Sequence, residues 1–435
     1  MAQADGRRDR RPPEWSAVRQ RAGGSGIMTA GTNNAGRLGA LAEAVLGYNP
    51  VDPEYHANAH EHHRRMAERG PIFRTPGGMW TAVSHAACSA VLRDDRFGHD
   101  PGSAAQNLFD STQRPSVAQR SFEFMDGPDH SRLRRLVNRA FTARRVERLR
   151  PAVRTLADQL LTDVSGRIDV LADFILPLAM TTIVDMLGAP TEDNHLFRAW
   201  AEPIVRGLDP DFLLSSSELA AREQANAEFA EYFDRLVALR RAEPKDDLIS
   251  ALIAVEDDGV VLSGNELISM CLLLLAAGHE SIMHLVGNGT VALLRDEDQL
   301  EHFRGHPGEV TNAVNELLRY DPPVVLLVRT ALADAEVLGN RVRRGEIVWL
   351  QIGAANRDPA VFPDPDRLDL TRDTGGSLAF GLGIHFCIGA SLARLEAAAA
   401  LSALLHRDVA LASEQLVHQK NVVIRGYEEV PVVLR

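Results

Sequence analysis

The sequence predicts a mainly α fold, one large domain with small antiparallel β-sheets near its start and its end. Three observations carry this. Apolar residues recur at helical spacing through most of residues 40–435, almost without a break from Asp129 to about residue 256. Strand-like alternation returns only in short stretches. No internal repeat and no flexible linker divides residues 40–435. The 435 residues alone would suggest two or three domains, but nothing in the pattern separates them, so 39–435 reads as one.

Each element follows from local chemistry. Residues 1–38 read as a disordered tail, rich in Arg, Gly, Ser, Asn and Pro and without apolar period. That tail lacks the apolar core of a signal peptide, and Met28 as the true start is an equally plain account of it. Residues 38–47, 54–69 and 85–95 have helical periods. Residues 71–84 between them read as a hairpin turning at Gly77-Gly78. Residues 98–121 form a long polar loop of the kind that carries function. Strand signals return at 337–353 and 422–435. Ser263 and Glu266 form a capping box that starts a helix running to about Arg295.

Composition excludes several classes. The net charge is −12, which argues against a nucleic-acid-binding surface. Mean hydropathy is −0.13, and no apolar stretch reads as long enough to span a bilayer. Three cysteines cannot frame a chain of this length with disulfides, which fits a reducing, cytoplasmic setting. Cys88 and Cys271 lie in apolar helical patterns and read as core residues.

Cys387 stands apart. Residues 380–389 read FGLGIHFCIG, with Gly381, Gly383 and Gly389 around the thiol and a strong helical pattern following. Glycines let backbone fold tightly and approach a flat ligand. A cysteine just before a helix N-terminus lies in a field that favours thiolate. Phe380-Gly381-x-Gly383-x-His385-x-Cys387-x-Gly389 resembles the haem-binding loop of the cytochrome P-450 superfamily. The resemblance implies that fold over 39–435, with haem b held by Cys387 as axial iron ligand, His385 on a propionate, and Phe380, Gly381 and Gly389 shaping the loop.

Four further segments follow in the family's order. Glu316 and Arg319 resemble its Glu-x-x-Arg pair, which locks the core beneath the haem, with Arg367 as the third partner. Residues 125–142 resemble its C helix, where His130 and Arg134 lie four apart, suited to an anionic propionate. Arg329 matches its other propionate arginine. Ala277-Gly278-His279-Glu280-Ser281 resembles its oxygen-activating segment: small Ala277 and Gly278 leave room for dioxygen, Glu280 is the relay acid and Ser281 the alcohol. The family usually has Thr where this chain has Ser281; Ser keeps the hydroxyl but loses the methyl that restricts its rotamer. A plainer reading has Ser281 bonding back to a helix carbonyl.

Other signals are weaker. His279 and His284 look like a zinc-protease pair, but their spacing of five sets them about 140° apart around a helix. His56, His60 and His63 share one helical face, which reads as solvated rather than metal-binding. Residues 129–150 carry eight arginines against Asp129 and Glu147, which reads as a docking face for an acidic electron donor. By the resemblance, substrate contacts come from the 98–121 loop, helices near 200–225, the central helix and Val324, Val325, Leu326 and Leu327; that apolar run favours a hydrophobic substrate, free or carrier-tethered.

The implied activity is a monomeric, bacterial-type monooxygenase of secondary metabolism, with no membrane anchor. No flavin or nicotinamide fingerprint is present, so electrons would come from NAD(P)H through a separate reductase and ferredoxin. The alternatives are haem-thiolate chemistry of another kind (peroxide-driven oxidation, oxidative coupling or dehydration) and a non-catalytic haem-binding protein.

Overall fold

The computed structural model describes residues 33–50, 52–99, 121–255 and 261–435. Helices of nine residues or more among them are α1 (Asn33–Leu46), α2 (Ala59–Glu68), α3 (His85–Arg93), α4 (Gly127–Ala140), α5 (Ala143–Leu160) and α6 (Leu176–Leu187). They continue as α7 (Asn194–Arg206), α8 (Ser216–Ala242), α9 (Gly264–Leu294), α10 (Glu297–Gly305), α11 (Val310–Tyr320) and α12 (Ala390–Leu405). Helix α1 starts at Asn33, inside the segment expected to be tail. Most of residues 98–121 lies outside the described residues.

The strands are short: β1 (Ile72–Arg74), β2 (Trp80–Ala82), β3 (Phe97–Gly98), β4 (Gly166–Asp169), β5 (Leu326–Ala331), β6 (Ala335–Val337), β7 (Asn340–Val342), β8 (Ile347–Gln351), β9 (Val409–Leu411) and β10 (Pro431–Leu434). The expected hairpin is β1–β2, with Ile72 opposite Ala82 and Gly78 at φ +86° in its turn. The largest sheet runs β1-β2-β8-β5-β3, and its β2–β8 pairing is parallel. A second sheet pairs β10 with β9 and with β4, a strand inside the stretch expected to be helical.

Helix α9 is the axis of the molecule. Ser263 Oγ accepts from the Glu266 N–H while the Glu266 carboxylate accepts from the Ser263 N–H, so both ends of the capping box close. Its 31 residues span ~46 Å at 1.5 Å per residue. Most are buried, packed among α6, α8, α11 and α12. Gly287 and Gly289 allow this: a Cβ at either would press on Leu171 or Leu317. Two segments, Val170–Leu187 and Gly264–Leu294, are after all long and apolar enough to cross a membrane. Both are 67% buried inside the fold, where core packing accounts for their composition.

The histidine face of α2 is not solvated. His63 is buried, against the expectation, and so is His56, which lies before α2 in the separate short helix Pro53–Ala57 with its Nε2 2.7 Å from the Pro50 carbonyl. No group of three or more metal-ligating side chains occurs among the described residues. The face reads polar, but Tyr55, Tyr320 and the close-packed Gly353 cover it.

Candidate active site

The cysteine loop is built by its glycines. Gly381 and Gly383 adopt φ +68° and +71°, a region other residues enter at a cost. A Cβ on Gly383 would overlap the Leu92 carbonyl. Gly389 has an ordinary φ of −80°, and a Cβ there would meet Cys387 Sγ at 3.8 Å, an ordinary contact, so neither the backbone nor the space around it demands glycine. The Cys387 N–H donates to the Phe380 carbonyl at 2.9 Å, which closes the loop just before α12. The Arg394 guanidinium lies 4.4 Å from the Phe380 ring centroid.

Cys88 and Cys271 are fully buried in the core, whereas Cys387 is exposed. Yet protein surrounds Cys387 on most sides, and that burial raises its thiol; Gly389, Arg134 and Arg394 oppose the rise and Glu123 adds to it. A thiol both accessible and surrounded faces an internal cleft.

Polar groups gather beside it. The His130 and His385 rings are tilted by 51° with centroids 4.4 Å apart, and His99 meets His385 edge-on at 5.1 Å. Both His130 nitrogens and His385 Nδ1 are buried with no partner. Burial lowers His130 to about 4, helped by the charges of His385 and Arg134. Arg134 donates to the Phe386 carbonyl at 2.5 Å. Arg329 is buried and donates to the Val328 carbonyl at 2.8 Å. Asp126, the N-cap of α4, places one carboxylate oxygen 3.4 Å from His385 Nε2 and accepts from the His99 N–H at 2.5 Å.

Orphaned buried nitrogens cost ~1–3 kcal/mol each, so their clustering implies an absent acceptor. The residues fit the haem of the resemblance: a thiol for iron opens on the cleft, and imidazoles and guanidiniums stand ready for its carboxylates.

On α9, Ala277 is exposed in the middle of a buried helix, and Gly278 and Ser281 are half-exposed, so this face lines open space. A Cβ on Gly278 would stand 3.1 Å from Ile183 Cδ1 of α6. The Ser281 hydroxyl donates to the Ala277 carbonyl at 2.7 Å, the plainer of its two expected roles. Glu280 turns the other way, 3.0 Å from His284 Nε2 and 3.6 Å from His279 Nε2. The two zinc-like histidines thus flank the acid between them.

The Glu316–Arg319 pair is fully buried at 2.7 and 2.8 Å. Its third partner is not the Arg367 side chain. Arg367 offers only its carbonyl to Arg319 at 3.3 Å, while Arg372 brings its guanidinium to Glu316 at 3.2 Å. Residues 367–372 turn back so that the later arginine reaches the carboxylate, and spacing alone does not reveal that turn. Of the apolar run, Val324 and Leu327 are half-buried, but Val325 and Leu326 are closed off from the cleft, 3% and 1% exposed. Their backbones are tied to Val423 and β8, and Leu326 packs among Trp349 and Ile347.

Sequence reading missed His99, Glu123, Asp126 and Arg372. Asp126 heads a helix beside Pro128, an N-cap signal that was available. Nothing local marks the others, because distant segments bring them in.

A family model described as Cytochrome P450 matches residues 310–416. The chain is 40% identical to Cytochrome P450 107B1 of Saccharopolyspora erythraea, covering 88% of this chain and 96% of that one. It is 37% identical to 6-deoxyerythronolide B hydroxylase of the same organism, covering 87% and 97%. Among solved structures it resembles P450BioI in complex with hexadec-9Z-enoic acid ligated Acyl Carrier Protein, at TM-score 0.82 and 32% identity, covering 88% and 99%.

Proposed function

This chain belongs to the cytochrome P450 family and is a haem-dependent monooxygenase, and on that premise we propose that it hydroxylates or epoxidises a largely hydrophobic natural product. One observation supports the site assignment above others: Cys387 is exposed, and beside its loop both His130 nitrogens and His385 Nδ1 are buried without a partner. Bound haem supplies the redox-active iron at which dioxygen is activated.

The protein's share is positioning and proton handling. Cys387 ligates the iron, and its loop keeps Phe380, Gly381 and Gly389 around the sulfur. His130, Arg134, Arg329 and His385 hold the propionates, with His99 beside them. Ala277 and Gly278 leave the space above α9 free, and Val324 and Leu327 offer apolar contact to substrate. Glu280 and Ser281 carry the proton relay. Ser281 serves it by rotating off the Ala277 carbonyl, which its unbranched Cβ permits.

The electron donor is an acidic ferredoxin, fed from NAD(P)H by a reductase, and the working unit is a cytoplasmic monomer. Arg139, Arg144, Arg145 and Arg148 line a cleft of about 520 Å³ together with Thr142. Not all of the local positive charge is available: Arg132 pairs with Glu266, and Arg145 and Arg148 stand 3.6 and 3.9 Å from Asp246. Reversing Arg144, which is exposed, to Glu is expected to raise the KM for ferredoxin several-fold, on the order of 3- to 10-fold, and to flatten its salt dependence. A KM and salt dependence like wild type would move the docking site elsewhere.

Reconstitution with ferredoxin, reductase, NAD(P)H and O₂ tests the activity. Polyketide, macrolide and terpenoid scaffolds are offered free, and acyl chains both free and carrier-tethered. The expected result is a substrate-induced spin-state change and a product heavier by one oxygen. Product from peroxide alone, with none from ferredoxin and O₂, would sink the O₂-activating reading.

A further inference from the structure

The His279–His284 pair was set aside as a zinc motif with the wrong spacing, and the relay leaves both rings without a role. Their geometry gives His284 one. Its ring is wholly buried, with Nε2 3.0 Å from Glu280 Oε1 and Nδ1 without a partner. A Cβ on Gly426 would overlap that ring, so the C-terminal loop clamps it from outside the helix. A bare ring nitrogen can be buried without a donor more cheaply than an N–H can be buried without an acceptor. The hydrogen therefore belongs on Nε2, and the carboxylate of Glu280 accepts it.

We propose that His284 is the positioning residue for Glu280: its Nε2–H holds the carboxylate and sets when that acid takes up and hands on a proton. The proposal rests on the relay assigned to Glu280 above. Burial pushes the Glu280 carboxyl up, but the hydrogen bond from His284 and the fields of His284 and His279 outweigh it and hold it below its usual range. Charges on the neighbouring elements are committed elsewhere. Arg425 pairs with Asp321 at 2.9 Å, and His418 Nδ1 lies 3.1 Å from the Gly426 carbonyl. Asp185 of α6 is exposed, and Glu396 of α12 is buried with Thr182 as its hydrogen-bond partner. His279 stays on its own turn, its Nδ1 2.7 Å from the Leu275 carbonyl.

Holding the acid has a consequence for transfer. A carboxylate locked against His284 is oriented and ionised, ready to accept a proton but not free to wander. Without the donor, burial is opposed only by the field of His279, and the proton is released at higher pH.

The test uses holoenzyme and measures product formed per NAD(P)H consumed as pH is varied, after the CO-bound reduced spectrum shows intact haem ligation. In His284→Leu the pH dependence is expected to move upward by about one unit. His284→Gln, which keeps an N–H donor, returns it toward wild type. Glu280→Gln removes the dependence and lowers the ratio. His284→Met replaces His284→Leu if the latter does not fold.

A second readout needs no turnover. A carboxyl held below its usual range adds stability that is present at neutral pH and fades as pH falls through its folded value. The melting-temperature difference between wild type and Glu280→Gln should therefore shrink on acidification, and in the His284→Leu background, where burial dominates, this trend should reverse. If His284→Leu keeps the wild-type profile while Glu280→Gln uncouples, His284 does not position the acid and the proposal falls alone. If Glu280→Gln couples as wild type does, the relay reading falls and takes the proposal with it.

Discussion

Cys387→Ser is expected to abolish the thiolate-type absorption of the dithionite-reduced, CO-bound protein and to take product formation to background. The loop itself should survive. Its closure depends on the Cys387 N–H reaching the Phe380 carbonyl at 2.9 Å and on the positive φ of Gly381 and Gly383, none of which involves sulfur. Serine is close to cysteine in size, so the stability change should stay below about 1 kcal/mol. What is lost is chemical: a hydroxyl does not ionise readily and gives a hard donor where a soft thiolate pushes electron density onto iron. Burial raises the free Cys387 thiol, so the thiolate depends on iron to stabilise it once haem is bound. Cys88→Ser and Cys271→Ser are the controls, since both thiols are buried in the core outside the Cys387 loop and should leave the spectrum unchanged. Retention of the band in Cys387→Ser would remove the iron ligand from this loop.

What the sequence revealed, it revealed where chemistry is local. The FGLGIHFCIG loop is legible because one backbone path demands glycines at fixed offsets from one thiol. The Ser263–Glu266 box is legible because its two hydrogen bonds close within four residues. Glu316 and Arg319 are legible as a pair for the same reason. Long-range choices were not legible. β4 is four residues long and exists because β10, more than 260 residues later, pairs with it in register from Gly166–Leu434 to Asp169–Pro431. His63 is buried because Gly353 and Tyr55 meet its ring, not because of anything on its own helix. Val325 and Leu326 look like pocket residues until β8 is paired with their strand. Ser281 had two roles in the sequence, and only rotamer geometry separates them.

The buried triad shows how much such a choice is worth. Glu316→Ala and Arg319→Leu are each expected to destabilise the protein by about 3–5 kcal/mol, because either leaves the opposite charge buried and unpaired. Both side chains are 0% exposed. Arg319 donates twice to Glu316 and also to the carbonyls of Asn356 and Pro365 at 3.0 and 2.9 Å, so one guanidinium ties three segments together. Glu316 in turn accepts from the Asp369 N–H at 3.0 Å. Against a typical total of roughly 5–15 kcal/mol, that loss would leave a large share of the chain unfolded and unable to keep haem. The neighbouring arginines should rank below the pair. Arg372→Ala removes the 3.2 Å contact to Glu316 and the bonds to the carbonyls of Pro363, Asp364 and Arg367, but leaves the Glu316–Arg319 pair itself intact, so about 2–3 kcal/mol is expected. Arg367→Ala should cost less still, because Arg367 meets Arg319 through its carbonyl, which alanine keeps. Denaturant unfolding of the four variants, with haem content measured alongside, gives the order directly. An Arg367→Ala loss greater than that of Arg372→Ala would restore Arg367 as the third partner. The double variant Glu316→Leu/Arg319→Met should lose less than the sum of the single losses, since both charges of the pair go together, although Arg372, the Asp369 N–H and the carbonyls of Asn356 and Pro365 each lose a partner.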